Sequence, residues 1–522
     1  TSALPAGIAL VVLNGGQPAL EPVGGAVIAV AAGRNVAPDG VTITLAGTGT
    51  GTYNSATGKL ILNNTTTATT LTINKTGVAK RIDIEAGDDR SLATLMFTGT
   101  AQAGDLTFDG RISVLNVAQA ANTATWTLPG GANSIMSQGA LTNVDINAGH
   151  VGTIVVRGAM TGGSATVRDL LSMQVLGNLS APVTSTVGSI GTMNVTGNVT
   201  AAITSARGLN YLTATALEGD VQANRGDIGV MLIRGDVSAN IQSVLGYIRL
   251  IQIINGSFGS LDEDMAIRSM TGIGSFVAVS YTTTPQPRYT SGVISTNGKI
   301  NQISITGLNM STRVRAADGI NVAYMDDMIN GLLSSGSDIY TVMIRKNMLE
   351  SDIVSGFDPG DAGFDAGNGG NAATVRMDAR THPQAWVTPG NVDRLAGGDI
   401  RLVQILGNMT ASTIAAAVGP GNDGWYYTED DQVRGNGYAQ RVIVRGVISG
   451  SLDPTQSFGI FAAGAMPNVT VPRLPVGNAY IDDVLAGGGA PRVAAVKVDD
   501  TSITIALTDD IDISTVNNPG MD

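Results

Sequence analysis

A short phrase returns roughly every twenty residues through the middle of the chain, and few folds can accommodate it. Leu170, Met173, Val175 and Gly177 lead into Asn178-Leu179-Ser180. Ile190, Met193, Val195 and Gly197 lead into Asn198-Val199-Thr200, and Ile228, Met231, Ile233 and Gly235 into Asp236-Val237-Ser238. Three apolar positions, a glycine, then Asn or Asp, an apolar residue and Ser or Thr make a unit too short to bury its own apolar face. Recurrence of such a unit at fixed period marks a solenoid, in which each coil is stabilised by its neighbours.

The same spacing appears at Ile112, Leu115 and Val117, at Leu141, Val144 and Ile146, and, ten residues later, at Val151, Ile154 and Val156. It returns at Ile300, Ile303, Ile305 and Gly307, at Ile339, Val342, Ile344 and Asn347, and at Ile400, Val403, Ile405 and Gly407. It returns once more at Val442, Val444 and Gly446. At Asn347 the expected role is the left-handed conformation that glycine otherwise supplies. The half-period and the alternation of Val199 to Ile203 and of Val237 to Ile241 predict two main strands per coil, with apolar residues inward.

The fold class expected is therefore all-β, a right-handed parallel β-solenoid with coils near twenty residues, the hand following the usual crossover preference. Composition agrees: 68 of 522 residues are glycine, 14% are charged and 4% aromatic, a mixture poor for helices and suited to strands between tight turns. A 43% hydrophobic content is enough for the chain to fold.

Residues 1–40 read as an N-terminal cap, or alternatively as an arm that pairs with a neighbouring molecule. The solenoid is expected over 41–474, where Thr52 to Gly58 has the character of a hairpin turn between Val41–Leu45 and Lys59–Leu62. Insertions are expected near 262–299, 356–397 and 419–438. Residues 475–522 form a C-terminal strand segment whose Ile503, Ile505, Leu507, Ile511 and Ile513 are candidates for docking on a neighbouring subunit.

The phrases Gly197-Asn198-Val199-Thr200 and Gly235-Asp236-Val237-Ser238, the stretch Val41 to Gly47 followed by Thr70 to Ile73, and the absence of cysteine resemble secreted bacterial β-solenoid surface proteins. That group includes adhesins and autotransporter-like passengers, and the resemblance spans residues 40–470. Residues 502–516 are similar to the opening strands of immunoglobulin-like modules in bacterial surface proteins. The resemblance implies an extracellular or cell-surface location and a structural or adhesive role.

Charge and motif content narrow the chemistry. A net charge of −12 with no run of Lys or Arg opposes nucleic-acid binding. The N-terminal apolar stretches are too short and too interrupted to cross a bilayer, so no transmembrane segment is expected, and the chain reads as a mature form whose export signal has been removed. Asp88-Asp89, Asp326-Asp327, Asp430-Asp431, Asp482-Asp483 and Asp509-Asp510 lack the defined separation that glycoside hydrolysis needs. The two histidines, His150 and His382, lack zinc-ligand or triad spacing. No enzyme is expected, a polysaccharide lyase or hydrolase being the weakest reading.

Asp358, Asp361, Asp365, Asn368 and Asn371 form a series of hard oxygen donors among glycines that suits Ca²⁺, with a solvated loop as the competing reading. Trp386, Trp425, Tyr426 and Tyr427 form a candidate contact patch for a glycan or protein. The leading functional expectation is a structural protein that polymerises head-to-tail into a filament, sheath or surface layer, because stacked coils leave two open ends. The alternative is an adhesin that binds a cell-surface glycan.

Overall fold

The computed structural model describes residues 11–14, 17–20, 27–86, 90–259, 265–279, 289–358, 394–395, 397–419, 432–433, 436–450, 458–473, 475–477, 479–483, 493–498 and 503–507. Some 17 turns of parallel β-solenoid account for nearly all of them, and no helix occurs among the described residues. Contacts divide the chain into two units, Thr1–Ile233 and Arg234–Asp522.

In the first unit, antiparallel pairs precede the coils. Val27–Val30 pairs with Thr50–Asn54, Gly33–Val36 with Val41–Ala46, and Val41–Ala46 with the start of Thr70–Ala86. The hairpin turn follows Thr50–Asn54 rather than Val41–Leu45. Asn54 sets it: its carbonyl accepts the Gly58 N–H at 2.8 Å and its side-chain oxygen the Ala56 N–H at 2.9 Å. Parallel pairing starts at Lys59–Leu62 against Asp83–Ala86 and continues from there. Val11–Asn14 and Gln17–Leu20 form a separate antiparallel hairpin.

The coils of this unit are held by rungs of identical or similar aliphatics. Leu170, Ile190, Leu209 and Ile228 stack in register, as do Met173, Met193, Leu212 and Met231. All eight are essentially inaccessible to water. Full burial of one such side chain contributes about 1.5–3 kcal/mol, so the interior of a coil outweighs any surface contact it makes.

A coil holds three ladders, not two. Between the strands Ile190–Val195 and Ile203–Ser205, Val199 forms an isolated parallel bridge to Leu179 on one side and Leu217 on the other. The run Val199 to Ile203, expected as one strand, bends at Thr200-Ala201-Ala202. The neighbouring coil approaches there so closely that a Cβ on Gly219 would lie 2.1 Å from the Ala201 carbonyl oxygen.

The second unit repeats the design with a purer interior. Ile248, Ile273, Ile300, Ile320, Ile339 and Ile400 form one continuous isoleucine rung. Met328, Met348, Met409 and Ile448 form another, on short strands that replace the single bridges of the first unit. The direct pairing of Ile339 with Ile400 shows that the stack keeps its register across this separation in sequence. Phe357–Asp358 with Arg394–Leu395, and Val418–Gly419 with Gln432–Val433, form antiparallel stems at the bases of the two later insertions.

The region 262–299, expected as an excursion, is largely ladder. Ala266–Ser269, Gly272–Val279 and Tyr289–Thr296 all pair in parallel with neighbouring coils. The phrase is disguised there because Phe276 and Ala278 stand where medium-sized aliphatics stand elsewhere, a large and a small side chain together filling the same layer.

Next to the insertions, one ladder is buried on both faces. Ile353, Ile414 and Ile460 point into the coil, while Val354, Ala415 and Phe461, of alternate parity, lie in a second apolar cluster with Ala417, Val418 and Ala463. Alternation fails on these strands because neither face meets water.

Candidate functional site

The polar half of the repeated phrase is an inter-coil fastening. The Asn178 side-chain oxygen accepts the backbone N–H of Asn198 at 3.0 Å, and Asp236 does the same for Ser257 at 2.8 Å. In the second unit Asp327, Asn347 and Asn408 hold the N–H groups of Asn347, Asn408 and Val447 at 3.2, 3.0 and 3.0 Å. Asn and Asp recur because each carries an acceptor at the length that spans one coil. A turn-closing bond within the coil was missed in the sequence: Ser185, Ser205 and Ser269 each donate their hydroxyl to a glycine carbonyl three residues on, at 2.9, 2.9 and 2.7 Å.

Asn347 does not occupy the left-handed region. Positive φ falls instead on Asn330, Glu350 and Ala411, at 50°, 47° and 44°. The phrase glycine is required by close approach: a Cβ at Gly197 would meet the Asn178 side-chain oxygen at 2.2 Å.

Asn408→Ala is expected to cost about 1 kcal/mol, the net worth of one intramolecular hydrogen bond, whereas Asn408→Asp, which keeps the acceptor, is expected to be nearly neutral. Urea denaturation of the two variants checks this. Equal losses would mean that the amide N–H₂, not the acceptor, is the group that matters.

The aspartate pair at Asp326-Asp327 is engaged across coils. Arg345 donates to Asp326 at 2.7 Å and Lys346 to Asp327 at 3.2 Å. In the first unit Arg81 bridges Asp83 and Asp105, both at 2.8 Å. Although its partial burial works against the charge, these carboxylates hold its pKa above the usual guanidinium value. His150 is half-exposed and its Nδ1 contacts the Asp169 carboxylate of the next coil. No cluster of three or more His, Asp or Glu with metal-ligand geometry occurs among the described residues.

Most of the sequence candidates lie outside those residues. Asp361, Asp365, Asn368, Asn371, Trp386, Trp425, Tyr426, Tyr427, Ile511 and Ile513 do so. Asp358 stands opposite Arg394 in the antiparallel stem of its insertion. Ile503, Ile505 and Leu507 belong to a two-stranded antiparallel sheet formed by Val493–Val498 and Ile503–Leu507.

Two other features remain for function. The first is the set of sheet edges. Among the described residues, Val27–Val30 and Gly33–Val36 in the first unit, and Ala479–Asp483 in the second, each have one strand partner within the solenoid sheet. Val27 and Val36 on these edges are 44% and 37% exposed.

The second is an outward row on the main ladder of the second unit. Arg249, Gly274, Asn301, Asn321, Tyr340 and Arg401 each follow a residue of the isoleucine rung, so they stand one above another. Six coils at the ordinary interstrand spacing make a row about 24 Å long. Tyr247 lies over Gly272 and Gly274, where a Cβ on Gly272 would come within 2.8 Å of its ring, and its hydroxyl accepts from Asn301 Nδ2 at 3.1 Å. Asn321 Nδ2 donates to Asn301 Oδ1 at 2.9 Å. The Tyr340 ring takes the Arg401 guanidinium at 4.1 Å and the Lys299 ammonium at 5.6 Å from its centroid. Lys299 reaches Tyr340 past Gly319 of the intervening coil.

No family model, no curated protein and no solved structure matches the chain.

Proposed function

We propose that the protein is a non-enzymatic structural component of a cell surface or extracellular layer that polymerises through its sheet edges. The observation that carries this reading is the state of those edges. Strands with half-exposed valines border the first unit's sheets, and Ala479–Asp483 borders the second's. Two-stranded hairpins, Val11–Leu20 and Val493–Leu507, flank them without joining the solenoid sheets. An isolated hairpin is marginal in water, and a bordering strand is a template for pairing, so adding one copy's border to another's stabilises both. Contact between unlike ends is heterologous and propagates.

An extracellular location and a calcium role for the series from Asp358 to Asn371 belong to the same proposal. They are supported by the lack of cysteine and by oxygen donors set among glycines.

The test places a charge on the border strands of the full chain. Val27→Lys with Val36→Lys is expected to leave the melting transition in place, because both side chains are already partly in water, and to abolish linear polymers in negative-stain images and sedimentation. A wild-type chain that stays monomeric at high concentration, or polymers that persist in the lysine variant, would refute edge docking.

A further inference from the structure

The outward row of the second unit has the make-up of a ligand surface, and we infer that it binds an extended anionic polysaccharide. Three properties carry the inference, and none depends on whether the protein polymerises.

The first is local charge. In a chain of net charge −12, the row and its flank gather Arg249, Lys299, Arg401 and Arg441 against Asp318, Asp338 and Asp399. Arg401 is about half exposed (48%), and among the described residues its one ion-pair partner, Asp338, lies at 3.5 Å. Most of its five N–H donors are therefore left for an incoming carboxylate or sulfate.

The second is chemistry. A tyrosine ring supplies an apolar surface for the C–H face of a sugar, and the Asn301–Asn321 pair keeps amide donors and acceptors beyond the single bond that joins them. Carboxamides, a phenol ring and guanidinium groups in one line meet hydroxyls, a ring face and acidic groups in that order of abundance.

The third is preorganisation. The row stands on ladder strands, and two groups within it are tied together, Tyr247 with Asn301 and Asn321, and Tyr340 with Lys299 and Arg401. Little conformational entropy remains to be lost on binding, which is where a flat surface otherwise forfeits affinity. A linear row about 24 Å long suits a polymer chain lying along the stack. Nucleic acid is the other anionic polymer to consider. Its closely spaced phosphates require dense neutralisation, and the carboxylates of Asp338 and Asp399 beside the cations disfavour it.

Affinity electrophoresis of the full chain through gels containing polygalacturonate, dextran or single-stranded DNA tests the inference. Retardation is expected in polygalacturonate at low salt and not in dextran or DNA. Lys299→Ala with Arg401→Ala should weaken it at least tenfold. Tyr340→Ala should weaken it severalfold, while Tyr340→Phe, which keeps the ring, should not. Arg207→Ala with Arg225→Ala, exposed positions in the first unit, should leave it unchanged. Circular-dichroism melting confirms that each variant is folded. No retardation in polygalacturonate, equal retardation in DNA or dextran, or undiminished retardation in the Lys299/Arg401 variant would overturn the assignment.

Discussion

Truncating Ile339 to alanine is expected to destabilise the second unit by about 2–5 kcal/mol, the range for removing a buried branched side chain from a close-packed interior. Ile339 is fully buried, and its neighbours on the rung are Ile320 and Ile400. Collapse around the vacated volume is restricted because backbone ladders on both sides fix the coil spacing. The position also joins the two coils between which the longest insertion leaves the stack, so the rung there must hold coils that are far apart in sequence.

A solenoid couples each coil mainly to the next, and the damage should stay local. Hydrogen exchange should accelerate most in Ile320–Met325 and Ile400–Ile405 and much less in Ile248–Ile254. Thr341→Ala, on the outward side of the same strand, should change stability by no more than about 0.5 kcal/mol. If the two substitutions had similar effects, the interior rung would not be what holds these coils together.

The rung was readable because it is written in spacing. Ile300, Ile303 and Ile305 carry the same interval as Ile400, Val403 and Ile405, and a recurrence of that kind marks a stacked repeat. Where composition varied, reading failed. Phe276 and Ala278 occupy rung positions that a search for medium aliphatics passes over. The third ladder rests on single residues such as Val199, too brief for any periodicity to register. Ser185 and Ser205 look like surface residues in sequence and are buried because a glycine carbonyl three residues on accepts their hydroxyls.

The candidate surface was less legible still, for a geometric reason. Asn301, Asn321, Tyr340 and Arg401 become neighbours only through stacking, and each is unremarkable among its own sequence neighbours. The conspicuous clusters, the aspartates after Gly356 and the aromatics around Trp425, stand out by composition alone and, Asp358 apart, lie outside the described residues.

Gly407→Val should be among the most damaging substitutions outside the interior, although the glycine is at the surface of a turn. A Cβ there would stand 2.4 Å from the Lys346 carbonyl oxygen and 2.5 Å from the Asn347 side-chain oxygen. The coil cannot retreat without stretching the bonds from Leu406 N–H to Ile344 and from Gly407 N–H to Lys346, at 2.9 and 2.8 Å. The Asn347 acceptor would also lose the Asn408 N–H that it holds. Overpacking against backbone, with the loss of two or three hydrogen bonds, is expected to cost about 3 kcal/mol or more, and Gly407→Ala somewhat less. Ala411→Gly provides the opposite sign. At a φ of 44° alanine is strained, and glycine there should raise stability by up to about 1 kcal/mol. A Gly407→Ala variant as stable as wild type would show that the closeness of the next coil is not what selects the glycine. An Ala411→Gly variant less stable than wild type would show that the positive φ at 411 is not a cost.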